Sequence, residues 1–128
     1  LDKNLKDDGL FLLHTIGSKH SNIFDPWIRK YIFQGSDAGV PTKKQIIAAS
    51  SGKFTIKDWH AFEQFHYDKT LMSWSNNFDK STSQQDERFN RIWKYYLLSQ
   101  AGFFRANVVQ LWQIVLSKNA QNSYKVIR

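Results

Sequence analysis

The chain has no cysteine among its 128 residues, which removes disulfide frameworks and thiolate metal sites and is compatible with a reducing cytoplasm. It also has no long apolar run. Even the helical stretch from Arg88 to Arg105 carries charges throughout, whereas a membrane-spanning helix needs roughly 18 to 20 uninterrupted apolar residues. Phosphate loops, Gly-rich dinucleotide turns, HExxH patterns and cysteine clusters are all absent, so the most legible nucleotide, zinc and thiol chemistries have no motif here and no metal is expected. Leu1 to Asp8 is mixed in charge, has no apolar core of signal-peptide type and does not start with Met; we expect chain upstream of it.

What is present points to a folded domain. Hydrophobic residues make up 41% of the chain, enough for a sizeable core. Acidic residues are outnumbered 11 to 18, giving a net charge of +7; that excess attracts a polyanion, either nucleic acid or an anionic membrane surface. Five Trp, five Tyr and ten Phe suit base stacking, a lipid-facing groove or a bulky core, and the core reading carries the most weight.

Leu10 to Ile16, bounded by Gly9 and Gly17, reads as a strand buried on both faces in a mostly parallel sheet. Asp25-Pro26 starts a short helix with Trp27, Ile28, Tyr31 and Ile32 at helical spacing. Pro41 suits the first turn of a second helix carrying Ile46 and Ile47, with Gly52 as its left-handed cap. Phe54 to Trp59 reads as a strand. A helix follows over Tyr67 to Phe78, then a polar turn over Asp79 to Gln85. Ser83-Gln84-Gln85-Asp86 resembles a capping-box start to the longest helix, in which Phe89, Ile92, Trp93, Tyr96, Leu97, Ala101 and Phe104 keep a helical period. Val108 to Leu116, apolar but for Gln110 and Gln113, suits a central or near-central strand, and Tyr124 to Ile127 a final edge strand. The order is α/β, with too few strands for a complete doubly wound sheet, so a larger domain is expected.

Individual polar residues stand out. His14 lies near the carboxyl end of an apolar strand, where open α/β sheets present ligand-contacting groups; a buried histidine satisfied by backbone is the equal alternative. His60 and His66-Tyr67 form a polar-aromatic cluster that also reads as an ordinary loop. Arg88, Arg91 and Lys94 recur every three positions on the longest helix and can meet phosphates, although a solvated face is favoured about two to one. Lys43, Lys44, Lys53 and Lys57 receive no role.

The blocks Leu12-Leu13-His14-Thr15-Ile16-Gly17, Asp25-Pro26-Trp27-Ile28 and Lys30-Tyr31-Ile32-Phe33 resemble successive segments of bacterial cyclopropane-fatty-acyl-phospholipid synthases. Asp58-Trp59-His60, Tyr67-Asp68-Lys69-Thr70-Leu71-Met72, Glu87-Arg88-Phe89, Phe104-Arg105-Ala106 and Gln110-Leu111-Trp112-Gln113 continue the resemblance in order. It covers nearly the whole chain.

The resemblance implies that residues 1–128 are the carboxy-terminal portion of a doubly wound S-adenosylmethionine-dependent methyltransferase domain. They would supply the last parallel strand region, a lid-like helical insertion and closing antiparallel strands. The cofactor-binding half would lie upstream, so the chain alone is expected to be inactive. In the family, a methyl group passes from S-adenosylmethionine to a cis double bond of an unsaturated phospholipid acyl chain, and the resulting carbocation loses a proton as the ring closes. The base is a bound bicarbonate, and the positions matching its ligands are His14, Tyr67 and the amide of Ile16. Imidazole and phenol donate hydrogen bonds to an anion while leaving another oxygen free to take the proton. Gln100, Phe103, Phe104 and Trp112 are candidates for the acyl pocket, where ring faces tolerate the cation and water is excluded.

Gln100 stands where many relatives carry Cys. The segment between His60 and Tyr67 is one residue longer than in close relatives, and Asp68-Lys69-Thr70-Leu71 anchors the match at Tyr67. The resemblance further implies a cytoplasmic protein, peripheral at the inner face of an anionic membrane, as a homodimer or other oligomer. A lipid C-methyltransferase of the same fold is the first alternative. A basic aromatic nucleic-acid-binding module is the second, but no groove-reading or single-strand motif supports it, and nucleic acid is not an expected partner.

Overall fold

The computed structural model describes residues 2–20, 25–35, 39–81, 86–121 and 123–126. Its elements are β1 (Leu10–Ser18), α1 (Pro26–Tyr31), α2 (Lys43–Ser50), β2 (Thr55–Ala61), α3 (Gln64–Ser81), α4 (Glu87–Arg105) and β3 (Val109–Ser117). The sheet runs β1-β3-β2, and both outer strands are antiparallel to β3. Val108 to Leu116 is therefore the central strand, as its composition predicts.

Local chemistry sets the helix ends. Asp25 caps α1 by accepting from the Trp27 N–H at 2.7 Å, with Pro26 at the first helical position. Thr42 and Gln45 form a capping box at α2, so Pro41 precedes the cap instead of occupying the first turn; its carbonyl accepts from Ser18 N–H at 2.9 Å. Gly52 follows α2 at φ 74°, the left-handed position expected of it. At the end of α4, Val108 N–H reaches the Phe103 carbonyl and Asn107 N–H the Phe104 carbonyl. Asn107 adopts φ 56°, a Schellman closure that turns the chain directly into β3.

Two buried clusters lie on opposite faces of the sheet. On one face α2 contributes Ile46 to a cluster with Trp112, Ile114 and Leu116, flanked by Phe11, Leu13, Ile56 and Trp59. On the other, the α3–α4 hairpin packs Leu71, Leu97, Ala101 and Phe104 around Val109, with Ile16 and Leu111 against them. Ser75 is buried within the hairpin, where a small side chain lets the helices approach. The Trp112 indole N–H is satisfied by Gln110 Oε1 at 3.1 Å, and Gln110 in turn donates to Asn107 Oδ1.

Several expectations change. β1 is not buried on both faces here: Leu10 and Leu12 are 45% and 54% exposed, because no described element covers that part of its face, and its described neighbour β3 is antiparallel, while β1 and β2, each antiparallel to β3, run parallel to one another. The polar residues after Phe78 do not break α3, which continues to Ser81 with the Ser81 hydroxyl donating to the Phe78 carbonyl and Asp79 paired to Lys94 across the hairpin. Ser83 to Gln85 of the expected capping box lie outside the described residues, and Asp86 occupies the cap position without a side-chain bond. Residues 123–126 form no strand; Ile127 lies outside the described residues.

Candidate functional site

Alternation along β1 places Leu10, Leu12, His14 and Ile16 on one face. Their partners on β3 are Ser117, Val115, Gln113 and Leu111, and β2 adds Asp58 opposite Val115 and His60 opposite Gln113. The α3–α4 hairpin covers this face only at the carboxyl end of β1, over Ile16 and Leu111. The remainder is an open concavity of about 500 Å³ whose walls include Leu12, His60, Gln113 and Val115. His14 sits at the boundary between the covered and open parts.

His14 is exposed, and its Nδ1 lies 3.2 Å from Gln113 Nε2. The expectation of a histidine satisfied by backbone is thereby replaced by a side-chain partner on the central strand. Ile16 lies two residues further along the same face and packs on the Leu71–Phe104–Val109 cluster. Tyr67, near the start of α3, packs on the same cluster, its ring centroid 4.8 Å from that of Phe104 and 5.9 Å from that of Trp74. The structure thus brings Ile16 and Tyr67 to one cluster. Among the described residues no hydrogen bond joins His14 to Tyr67, and neither His14 Nε2 nor the Tyr67 hydroxyl has a hydrogen-bonding partner. Both side chains keep hydrogen-bonding capacity, the Tyr67 hydroxyl as donor or acceptor and the His14 ring nitrogen according to its tautomer.

Beside Tyr67, Asp68 is buried and accepts two hydrogen bonds from Arg105 at the end of α4. Burial, followed by the Tyr67 phenol, raises the Tyr96 phenol above its ordinary 10.0, so that ring stays neutral in the cluster. Phe103 is half-buried against the same cluster and Phe104 is fully inside it. Gln100 is half-buried on α4. Trp112 is separated from all of these: it is fully buried on the opposite face, against Ile46 of α2. His60 and His66 flank Phe62 at 4.5 and 5.7 Å between centroids, which makes a surface aromatic stack; no group of three or more His, Cys, Asp or Glu among the described residues is arranged to hold a metal ion.

The basic stripe on α4 is largely engaged. Arg91 pairs with Glu87, Lys94 pairs with Asp79 at 3.0 Å, and the Arg88 guanidinium stands 5.9 Å from the Tyr31 ring. A groove of about 640 Å³ between α1 and α4 is lined by Trp27, Tyr31, Arg88, Ile92 and Tyr95. At its edge the Tyr95 hydroxyl donates to Asp25 Oδ2 at 2.7 Å. This bond, then the Trp27 N–H, holds the Asp25 carboxyl below its ordinary 3.8, and the same bond raises the Tyr95 phenol above 10.0. In the sequence Gln113 stands out only as a polar interruption of an apolar strand, and Asp68 and Arg105 only as members of the resembling blocks. A polar residue in an otherwise apolar central strand is the signal that marks Gln113; the Asp68–Arg105 pairing has no signature across 37 positions.

Residues 1–114 match the protein family described as mycolic acid cyclopropane synthetase. The cyclopropane-fatty-acyl-phospholipid synthase of Escherichia coli K12 is 44% identical over 133 aligned residues, which cover 100% of this chain and 34% of that protein. The sphingolipid C9-methyltransferase A of Emericella nidulans is 31% identical over 98% of this chain and 26% of its own length. Among solved structures, a mycolic acid cyclopropane synthase complexed with SAH and CTAB superposes with a TM-score of 0.74 at 27% identity, over 86% of this chain and 44% of that one. The chain thus spans about a quarter to a third of the length of these two curated relatives.

Proposed function

From the premise that this chain belongs to the mycolic acid cyclopropane synthetase family, we propose that it is part of an enzyme that converts cis double bonds of unsaturated phospholipid acyl chains into cyclopropane rings. S-adenosylmethionine would supply the methyl group, held mainly by residues upstream of this chain. Within the chain, His14, Tyr67 and the Ile16 amide hold a bicarbonate that takes the proton released on ring closure. The observation that carries this reading is that Ile16, two residues along the same face from His14, packs on the same cluster as Tyr67, while His14 Nε2 and the Tyr67 hydroxyl have no partner among the described residues.

The division of labour follows from side-chain chemistry. Tyr67 and His14 each donate one hydrogen bond, which fixes an anion without removing its basicity. Placement matters more than base strength, because a positioned weak base competes with water only when water is excluded. Tyr67 and Phe103, backed by the buried Phe104, form the aromatic wall against which the acyl cation is sheltered, with Gln100 nearby on α4. The open sheet face and the excess of basic residues support peripheral attachment to an anionic membrane from the cytoplasmic side.

The test is turnover by the full-length protein in bicarbonate-depleted buffer. Added bicarbonate restores activity in the wild type, and His14→Gln or Tyr67→Phe needs more of it and reaches a lower maximum. Equal activity with and without bicarbonate would contradict the reading. The likeness to a sphingolipid C9-methyltransferase favours one second reading, methylation without ring closure; the mass and retention of the product acyl chain separate the two.

A further inference from the structure

We infer that Gln113 is a positioning residue that sets the tautomer of His14. This rests on the proposed role of His14 as an anion ligand. Gln113 lies on the central strand, directly opposite His14 on β1 and His60 on β2, so its backbone is held from both sides. Its side-chain amide nitrogen is 3.2 Å from His14 Nδ1. With its –NH2 turned toward His14, the amide donates, Nδ1 accepts, and the ring proton is then carried on Nε2. Among the described residues that nitrogen has no partner, and a ligand anion requires a donor there. Were the proton on Nδ1, the Gln113 amide would have to turn and present Oε1 to it, and Nε2 would present a lone pair to the anion, which repels it.

The same arrangement accounts for a glutamine inside an apolar strand. Gln113 is flanked by Trp112 and Ile114, both fully buried on the other face, and its own position on the open face needs no amide for packing. A methionine or leucine would fill the space equally well. The amide is the feature that ties the histidine ring to the sheet while leaving its outer nitrogen protonated, the role that partners of functional histidines commonly play.

The test uses full-length protein with 15N-labelled histidine, in which the His14 signals are identified by their loss in His14→Gln. Long-range proton–nitrogen correlations report which ring nitrogen carries the proton. The wild type has it on Nε2, Gln113→Met gives a mixture of tautomers, and Gln113→Glu, close in shape, moves the proton to Nδ1. Turnover falls on the order of tenfold in Gln113→Met, with little change in KM. A wild-type His14 protonated on Nδ1, or a tautomer unaltered in both variants, overturns the inference whatever the activity does. If instead the tautomer shifts as stated but His14→Gln keeps full turnover, Gln113 sets the tautomer and it is the anion-ligand reading of His14 that fails.

Discussion

Arg105 grips Asp68 with two hydrogen bonds, Nε to Oδ2 at 3.1 Å and Nη2 to Oδ1 at 2.9 Å. The pair ties the start of α3 to the end of α4 at the residue next to Tyr67. The carboxylate is nearly enclosed, its side chain 9% exposed, whereas that of Arg105 is 57% exposed and covers it. The planar fork fixes direction as well as distance.

Arg105→Lys replaces this fork with a single rotatable donor. Turnover by the full-length protein is expected to fall about tenfold, as a displaced Tyr67 loses its alignment, and the melting temperature to drop. Calorimetry and methyl-transfer assays on the same preparation check this; a variant with wild-type turnover would show that the pair does not position Tyr67.

Gly17 lies under the Trp112 ring, and a β-carbon there would occupy the space of the indole. Gly17→Ala is expected to destabilise the fold by about 3 kcal/mol or more, since the buried ring has nowhere to move. Trp112→Leu should recover part of the loss in the double variant. Urea unfolding midpoints measure both, and additive effects would contradict a direct clash.

The Tyr67 hydroxyl makes no hydrogen bond to the described residues, whereas its ring packs on Phe104. Tyr67→Phe therefore leaves unfolding within about 0.5 kcal/mol of wild type and lowers turnover by about a hundredfold. Tyr67→Ala costs both. A large stability loss in the Phe variant would reveal a structural role for the hydroxyl.

The Tyr95–Asp25 bond has a defined pH signature. Asp25 is depressed below 3.8 in the folded chain, so its contribution is present above 3.8 and lost as pH falls through the lowered value. Tyr95 is raised above 10.0, so its contribution is present below 10.0 and lost as pH rises through the raised value. The stability gap between wild type and Tyr95→Phe is widest between these limits and closes on both sides. A gap independent of pH would contradict the bond.

How much of this was legible in the sequence depends on distance along the chain. The caps at Asp25 and Gly52 and the period of α4 are local, and the chain spells them out directly. The continuation of α3 to Ser81 was not visible, because Asp79 is held in helix by Lys94, fifteen positions away on the neighbouring helix. Pairing direction escaped for the same reason: an apolar run such as Leu10 to Ile16 does not encode whether its neighbour runs parallel, and the register with β3 joins residues about a hundred positions apart. His14, Ile16 and Tyr67 were marked by resemblance, but the Gln113 contact to His14 appears only once β1 and β3 are aligned.

The most direct test of the central claim is methylene transfer from labelled S-adenosylmethionine into vesicles of unsaturated phospholipid, comparing residues 1–128 with the full-length protein. The account predicts cyclopropane product from the full-length protein and none from residues 1–128. Turnover by the 128 residues would contradict the placement of the cofactor upstream, and no product from the full-length protein would contradict the proposed reaction.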